Sequence, residues 1–574
     1  MKKTYWMLLF FIAALYLLPA VFRPLIAPEE FRYAEISREM LESGNFITPK
    51  LLGVRYFDKT PLGFWLTAGS LKIFGQNVFA LRFIPMLGAI GTALFLFFWC
   101  RRRNYSPATG VNALFLYLSG IMVWLWGSFA ALDSLFCMWT TGALVCFAVA
   151  LESKEIKERL FMLVSAGVAV GCGFLTKGLL AYALPGISIA VYLLWQKRWK
   201  ELFILPWIPL IVSFAVIAPW GWTIHKAEPE FWRYFIMHEH FQRFTNWSAQ
   251  GNPAPFWLLL PFLAVGIFPG ILPVLSGLSG LRKDGWKEVC DSPEVRFALC
   301  ATLLPLLLLS ASGGKMPAYV LPCFAPAAML GAMILDKLDP ERGVLKLRKL
   351  TTVSSLIFII TGSLALLAVL FYLLWGTGFI PSLPLKVAVW TPSLTTAALG
   401  LVISGTIFFV YRKSKMPEPC SFFTLCGIPV LISVWFLPVF TAWHKMPEYE
   451  LLDIATRLTA EKLPRPRLIS SPGLAHAAAW CFKDGTVQML NGAGELEYGH
   501  LYAAANGERP LMLNYAETSA LLQNPQRKEG VLIILRKQDT DEYTRYLAPG
   551  KQLTTAGELS AFYYPGNKGK NKAK

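Results

Sequence analysis

The sequence has few charged residues, because Asp, Glu, Lys and Arg make up only 16% of its 574 positions, against about 25% in soluble domains. Its ten cysteines lie mostly within or beside apolar segments and form no CxxC pair. Neither a GxGxxG motif nor a P-loop is present. These absences argue against a soluble domain, a disulfide framework, a zinc cluster and a nucleotide cofactor.

Hydrophobic residues are abundant, at 55% of the chain, and 14% of all residues are aromatic. Apolar runs recur that are long enough, at about 17 to 25 residues, to cross the hydrocarbon core of a bilayer. They predict an all-α polytopic membrane protein with about 13 transmembrane helices. The predicted spans lie near 5–25, 77–99, 109–129, 134–151, 160–175, 179–195, 203–223, 256–278, 297–312, 319–335, 351–375, 387–411 and 421–443.

The net charge of +18 comes largely from short basic clusters between the apolar runs. Under the positive-inside rule, clusters such as RRR at 101–103, QKRWK and KLRK mark the cytoplasmic face. This pattern explains the charge without a nucleic-acid partner. It places the loops 26–76 and 224–255, and the chain after 444, on the outer face of the membrane.

Three domains are predicted from the change in composition along the chain. Residues 1–444 form the transmembrane domain, and residues 445–565 form an external mixed α/β domain. In the latter, the helical pattern YELLDIATRLTAEKL alternates with the strand-like runs VLIILRK and LSAFYYP. The last segment, 566–574, is too polar to pack and is predicted to be a disordered basic tail.

The predicted outer face collects most of the ionisable residues that interrupt apolar sequence. Such groups are costly to desolvate, so their convergence on one leaflet predicts a shared polar site. The set comprises Glu29, Arg32, Asp58, Lys59, Asp133, Lys177, Glu239, His240, Arg243 and Lys315, with Tyr319 beside the last.

The segment PEEFRYAEISREM, residues 28–40, is predicted to form an amphipathic helix. It either lies in the membrane interface or is an ordinary solvated surface helix. Its apolar side comprises Phe31, Ala34, Ile36 and Met40, and its more polar side comprises Glu30, Arg32, Glu35 and Arg38.

Several site residues also have a simpler structural interpretation. Lys177 and Lys315 fit lysines that snorkel from helix ends, and Tyr319 fits an interface aromatic. Asp133 fits the cap of a helix starting at 134. The histidines other than His240 receive no catalytic role.

Together these residues occur in motifs that resemble a known enzyme family. EEFRYAEISREM, LLGVRYFDKTPLGFW, ALDSLF, LTKG, FWRYF..EHFQRF and GKMPAYVLPCFA follow one another along the chain. They closely resemble the lipid A 4-amino-4-deoxy-L-arabinose transferase family, from about residue 1 to 330 and again in the external tail. The resemblance implies the GT-C fold, related to protein O-mannosyltransferases, in the bacterial inner membrane.

The resemblance also implies a reaction. The sugar would move from undecaprenyl phosphate to a lipid A phosphate on the periplasmic side, with resistance to polymyxin and cationic peptides as the result. Glu29 takes the place of a family aspartate as the principal acid, and Asp133 is the second acid. A single displacement predicts inversion at the anomeric carbon. The alternatives are transfer of another sugar to lipid A or another envelope acceptor, and, from a different class, a membrane transporter.

The remaining expected roles concern binding. Asp58 and His240 are candidate ligands of a divalent metal, Zn or Mg, although His240 also fits a hydrogen-bonding loop residue. The expected partners are the lipid-linked donor, lipid A and membrane lipids, and the protein is expected to be a monomer. The expected phosphate- and substrate-binding residues are Arg32, Tyr33, Lys59, Lys177, Arg243, Lys315 and Tyr319.

Overall fold

The computed structural model describes residues 23–242, 255–268, 283–337, 340–374 and 447–566 except 549 and 554–556, with a few further positions. Two compact units are present: residues 1–22 with 82–439, and residues 23–81 with 440–574. The predicted boundary at 444 lies outside the described residues, and so does the predicted tail 566–574 except for its first residue, so both stay predictions.

The described part of the chain from residue 78 to 374 is helical. Many of its connections are short, as in the tight turn between α7 and α8. The helices are α3 Val78–Arg102, α4 Pro107–Leu118, α5 Ile121–Gly127, α6 Asp133–Glu152, α7 Ile156–Lys177, α8 Leu180–Trp195, α9 Trp199–Ile204, α10 Trp207–Ala227, α11 Phe231–Arg233, a π-helix Tyr234–Gln242, α12 Leu259–Gly266, α13 Lys283–Asp291, α14 Pro293–Ser310, a 3-10 turn Pro317–Val320, α15 Leu321–Asp336 and α16 Pro340–Leu374.

Within the described residues, six helices are long and apolar enough to cross a membrane, and a seventh span is counted if the pair α4 and α5, bent by 70°, is taken as one. These match predicted spans near 77–99, 109–129, 134–151, 160–175, 203–223, 297–312 and 319–335. The prediction of about 13 spans is not confirmed. At 179–195, 256–278 and 351–375 the described apolar helices, Leu180–Trp195, Phe256–Gly266 and Ser355–Phe371, have fewer than 18 residues. The predicted spans 5–25, 387–411 and 421–443 lie mostly outside the described residues.

Glycines allow two of these helices to approach their neighbours closely. A Cβ on Gly88 of α3 would lie 2.7 Å from the backbone of Ser134, at the start of α6. A Cβ on Gly167 of α7 would lie 2.7 Å from the Pro209 carbonyl oxygen of α10. Small residues at such crossings bring helix backbones together in membranes. The first contact fixes the position of the α6 N-terminus, which carries Asp133.

The second unit joins the first loop to the C-terminal segment. The loop contains α1 Glu29–Ser43, the hairpin β1 Lys50–Leu51 and β2 Val54–Arg55, and α2 Leu62–Phe74. The C-terminal segment contains α17 Pro447–Ala460, β3 Arg467–Ser470, α18 Pro472–Phe482, β4 Gln488–Leu490, α19 Glu497–Ala505, β5 Met512–Leu513, α20 Tyr515–Gln523, β6 Val531–Arg536, α21 Thr540–Tyr546, β7 Lys551–Gln552 and β8 Leu559–Tyr564.

A six-stranded sheet of order β5-β4-β3-β6-β8-β7 forms the centre of this segment. Strands β5, β4, β3 and β6 pair in parallel, whereas β8 pairs antiparallel with both β6 and β7. The run VLIIL of β6 is buried throughout, as expected for a strand covered on both faces. The predicted mixed α/β architecture, the helix after residue 446 and the strands at 531 and 559 are therefore confirmed.

The predicted helix at 28–40 is confirmed as α1, but its polar side is not solvated. Glu30, Glu35 and Arg38 are all fully buried. Arg38 donates to Glu35 through Nε at 2.8 Å and also pairs with Glu42 at 2.5 Å. The interpretation as an ordinary solvated surface helix is therefore wrong, because the charges are paired in the interior of the unit.

Candidate functional site

Arg32 of α1 lies between two carboxylates. Its terminal nitrogen is 3.1 Å from Glu29, one helical turn earlier, and its Nε is 2.6 Å from Glu495 of the C-terminal segment. The Arg32 side chain is only 13% exposed, whereas Glu29 and Glu495 are each about one-third exposed. A guanidinium that retains further donors beside partly exposed carboxylates is suited to hold a phosphate in a fixed orientation.

Glu495 has other predicted site residues around it. Partial burial, together with the carboxylates of Asp58 and Glu29, raises the pKa of Glu495 to about 7, while Arg32 and Lys59 act against this rise. Four residues that were predicted from the first loop, Glu29, Arg32, Asp58 and Lys59, therefore all act on the charge of Glu495. The charge of the Glu495 carboxyl group therefore changes near neutral pH.

The segment after the β hairpin supplies Asp58 and Lys59. The Lys59 Nζ donates to the carbonyl oxygen of Asp58 at 2.9 Å. Tyr33, predicted to bind substrate, is largely buried and stacks on Phe64 of α2, with ring centroids 5.9 Å apart. The Tyr33 ring therefore packs α1 against α2, one residue after Arg32.

The hairpin is held by Glu39 of α1. The Glu39 carboxylate accepts the backbone N–H groups of Leu52 at 2.6 Å and Gly53 at 3.1 Å. Both turn residues have positive φ, 56° and 79°, as a tight two-residue hairpin loop requires. Burial and the neighbouring Glu35 raise the pKa of Glu39 to about 8.

The C-terminal segment packs directly on the first loop. Glu448 accepts the backbone N–H of Leu25 at 3.0 Å, just before α1. Arg55 of β2 pairs with Glu508 at 2.9 Å and lies 4.3 Å from the centre of the Tyr502 ring. These contacts position Glu495 beside Arg32.

Asp133 and Lys177 form a second site, in the helical unit. The Lys177 Nζ, at the last residue of α7, is 2.6 Å from the Asp133 carboxylate at the first residue of α6, and both are nearly buried. Each charge lies at the helix end where the macrodipole favours it. The capping interpretation of Asp133 is wrong, because α6 begins at Asp133 and no side chain caps it.

Tyr319 and Lys315 lie in the turn that leads into α15. Lys177 approaches the Tyr319 ring to 5.8 Å from its centre, which joins Tyr319 to the Asp133 and Lys177 pair. Lys315 is 4% exposed and donates to the Ser312 carbonyl oxygen at 2.8 Å, so it is not a lysine snorkelling to a surface. Arg243 lies outside the described residues.

His240 uses both ring nitrogens for hydrogen bonds. Nδ1 donates to the Phe235 carbonyl oxygen at 2.8 Å, and Nε2 accepts the Leu179 N–H at 3.1 Å. A metal on Nε2 would replace the second bond. No cluster of three or more metal-ligating side chains occurs in the described part of the chain. The Asp58 and His240 metal site stays a prediction, tested by metal analysis before and after chelation.

Sequence reasoning missed three residues of this region: Glu448, His476 and Glu495. His476 is 4% exposed, and its Nε2 lies 3.8 Å from Glu495. Burial and the nearby Arg32 lower the pKa of His476 to about 3, so the ring is neutral at pH 7. The sequence signal for Glu495 was the turn motif NGAGE at 491–495, which places an acid in the turn after β4.

Two family models match the chain. Residues 1–235 match the dolichyl-phosphate-mannose-protein mannosyltransferase family, and residues 444–563 match the C-terminal domain of the arabinosyl transferase ArnT. The first match covers both α1 and the Asp133 and Lys177 pair, and the second covers Glu495.

Curated relatives match over nearly the whole length. Undecaprenyl phosphate-α-4-amino-4-deoxy-L-arabinose arabinosyl transferases of Edwardsiella ictaluri and Pectobacterium atrosepticum are 33% and 34% identical, covering 94% and 98% of each chain. The crystal structure of ArnT from Cupriavidus metallidurans bound to undecaprenyl phosphate aligns with a TM-score of 0.79 over 98% of each chain. At 20% identity this last match shows a common fold.

Proposed function

Because the chain belongs to the undecaprenyl phosphate-α-4-amino-4-deoxy-L-arabinose arabinosyl transferase family and is a multi-pass membrane glycosyltransferase, we propose that it transfers 4-amino-4-deoxy-L-arabinose from undecaprenyl phosphate to a phosphate of lipid A. The reaction takes place on the periplasmic side of the inner membrane, in a monomeric enzyme. The product carries less negative charge and lowers binding of polymyxin and other cationic peptides.

The observation that carries this proposal is the position of Arg32. It is a nearly buried cation held by Glu29 at 3.1 Å and Glu495 at 2.6 Å, with Lys59 close enough to affect Glu495. Two cations among carboxylates form a preorganised site for a phosphate, since the cations are positioned before the substrate binds. The carboxylates beside Arg32 and Lys59 offset the repulsion between these two positive charges.

The chemistry requires stabilisation of a leaving group. An oxygen of the acceptor phosphate attacks the anomeric carbon, and the bond from that carbon to the undecaprenyl phosphate oxygen breaks. The electron pair leaves with undecaprenyl phosphate, whose growing negative charge Arg32 and Lys59 stabilise. An acceptor phosphate is already ionised, so no strong general base is needed, and the single displacement inverts the anomeric centre.

The acids orient the cations and the substrates in this scheme. Glu29 holds one side of the Arg32 guanidinium, and the Tyr33 ring packs α1, which carries Arg32, against α2. In the helical unit, we assign substrate contacts to Asp133 and Lys177, which are 2.6 Å apart, together with Tyr319. Arg243 and Lys315 are assigned to phosphate binding.

A second candidate function is transfer of another lipid-linked sugar to lipid A or another envelope acceptor. Glu29 favours it, because the family residue is Asp and the additional methylene moves the carboxylate by about an ångström in a preorganised site. Transport is a weaker alternative, because a transporter site is expected near the middle of the membrane.

Mass spectrometry of lipid A tests the proposal. A transferase-null Gram-negative strain expressing this chain is expected to gain lipid A with one aminoarabinose. The Glu29→Gln variant should lose this product at least about 100-fold, as for removal of a group that positions the reacting atoms. Glu29→Asp should retain it, and Glu497→Gln, an exposed acid of α19, serves as the control.

Three outcomes contradict parts of the proposal. No modified lipid A, despite membrane expression and donor supply, would exclude this sugar or acceptor and favour the second candidate. Full activity of Glu29→Gln would exclude the role of Glu29. A product with retained anomeric configuration would exclude the single displacement.

A further inference from the structure

The strand order of the C-terminal sheet reverses between β3 and β6. From β3 the chain continues through α18 to β4 on one side, whereas β6 pairs with the other side of β3 in parallel. In open α/β sheets, ligands bind outside the carboxyl ends of the strands at such a point. Here Ser471 follows β3, α18 begins at Pro472, and Arg536 is the last residue of β6.

Two positive groups meet at this edge. The guanidinium of Arg536 covers the first turn of α18, since a Cβ on Gly473 would lie 3.5 Å from its terminal nitrogen. The N-terminus of a helix carries unpaired N–H groups and a partial positive charge. Among the described residues, no carboxylate forms an ion pair with Arg536. The electrostatic energy of a cation beside the positive N-terminal end of a helix is unfavourable, unless an anion binds between the cation and the helix end.

Buried polar groups beside this helix end also lack partners. Ser471 has the backbone conformation of an N-cap, with φ −59° and ψ 147°, yet its side chain accepts no bond from the helix. Ser471 is 8% exposed, and its Oγ has no hydrogen-bond partner. His476, one turn along the same face as Gly473, has no hydrogen bond at either ring nitrogen. Buried polar groups are nearly always hydrogen-bonded in proteins, so an unpartnered hydroxyl and imidazole at this helix end favour a polar ligand here.

We propose that Ser471, Gly473, His476 and Arg536, which we call the switch-point site, bind a phosphate group. The Arg536 guanidinium, the Ser471 hydroxyl and the Gly473 N–H all donate to phosphate oxygens. Pro472 has no N–H, and the Leu474 N–H already donates to the Ser471 carbonyl oxygen. His476 joins the switch-point site to Glu495, which contacts Arg32. The site therefore suits a phosphorylated lipid that also reaches Arg32. The assignment of this lipid as the sugar carrier rests on the proposed function.

Calorimetric titration of inorganic phosphate into the full-length protein in detergent tests this site. Two binding events are expected, one at Arg32 and Lys59 and one at the switch-point site. Arg536→Gln should weaken one event by about 10- to 100-fold, as for loss of charge-assisted hydrogen bonds. Arg545→Gln, an exposed arginine of α21, should change neither. Ser471→Ala, which removes only one hydroxyl, should weaken the same event about 5-fold.

Binding unchanged in both Arg536→Gln and Ser471→Ala would overturn the proposal. The phosphate source is distinguished by repeating the titration in nanodiscs. If a lipid headgroup fills the switch-point site, phosphatidic acid in the nanodiscs should abolish that event, whereas phosphatidylcholine should not. If free phosphate is the ligand, both nanodiscs should give the same event. Since these titrations need no transfer, a failure of lipid A modification leaves their result intact.

Discussion

Glu495 is a single carboxyl group whose ionisation falls in the physiological range. Its pKa is raised from 4.5 to about 7 by partial burial and by Asp58 and Glu29. A raised pKa in the folded state means that the ionised form is less favourable there than in the unfolded chain. The stability that the protonated group contributes is complete below about pH 4.5 and is lost as pH rises through about 7.

This sign gives a prediction for Glu495→Gln, which cannot ionise. As pH rises from about 5 to 8, the Tm of the wild-type protein in detergent should fall relative to the Tm of Glu495→Gln. Glu497→Gln, two residues away and exposed, should follow the wild type at every pH. A constant Tm difference between wild type and Glu495→Gln across this range would contradict the raised pKa.

The residue scale also shows what a single sequence can reveal. Glu29 and Arg32 were predicted because both lie in one charged motif, PEEFRYAEISREM. Glu495 was not predicted, because an exposed glutamate in a turn has the same local sequence signal as any solvated acid. Its role depends on a contact with Arg32 across more than 400 residues, which local patterns do not encode.

Among the elements, α1 is held by buried charges. Arg38 and Glu35 are both fully buried, and the Arg38 Nε donates to the Glu35 carboxylate at 2.8 Å. Replacing Arg38 by Met leaves Glu35 buried without its partner. We expect Arg38→Met to lower the free energy of unfolding by about 3 to 5 kcal/mol, as for a broken buried pair. Urea unfolding in detergent measures this change.

The matched control is Arg545→Met, an exposed arginine in the same unit that should change the free energy of unfolding by less than about 0.5 kcal/mol. The double variant Glu35→Gln with Arg38→Met should recover part of the loss, because the unpaired charge is removed. Equal stability of Arg38→Met and Arg545→Met would show that the pair does not hold α1.

The packing of α19 against the hairpin predicts a steric effect. A Cβ on Gly499 would lie 2.5 Å from the Arg55 carbonyl oxygen, which is backbone and cannot rotate away. Gly499→Ala should destabilise the unit by about 1 to 3 kcal/mol, as for overpacking. Gly69→Ala, in α2 with no atom within 4 Å, should be neutral or stabilise by up to about 1 kcal/mol. Thermal unfolding compares both, and equal shifts would contradict the close contact.

Element types were more predictable than their pairing. The apolar runs predicted the long helices, and the runs at 531 and 559 predicted β6 and β8, because burial on both faces leaves a continuous hydrophobic segment. The order of the sheet was not predictable, since β3 and β6 are separated by about 60 residues yet pair directly. The short strands β4 and β5 have only three and two residues, too few for a periodic pattern.

At the scale of the whole molecule, the first loop and the C-terminal segment form one compact unit, residues 23–81 with 440–574. Composition predicted each segment but not their association, because the contacts that join them connect residues more than 400 positions apart. Leu25 with Glu448, and Arg55 with Glu508, are examples. Since both segments carry site residues, truncation of the C-terminal segment removes Glu495 together with the support of α1.

The predicted orientation of the molecule across the membrane can be tested with two exposed positions. Cys290 of α13 follows the basic residues at 282–287, which the positive-inside rule places in the cytoplasm, and it is exposed. Asp541 of α21 is exposed on the segment predicted to be periplasmic.

In chains with all other cysteines replaced, a membrane-impermeant maleimide should label Asp541→Cys in intact spheroplasts, and Cys290 only after permeabilisation. The reverse pattern would place the Arg32 and Glu495 pair in the cytoplasm, where a periplasmic acceptor is absent, and would exclude the proposed reaction. Labelling of both before permeabilisation would instead show an even number of spans between them, since an odd number puts their two positions on opposite sides.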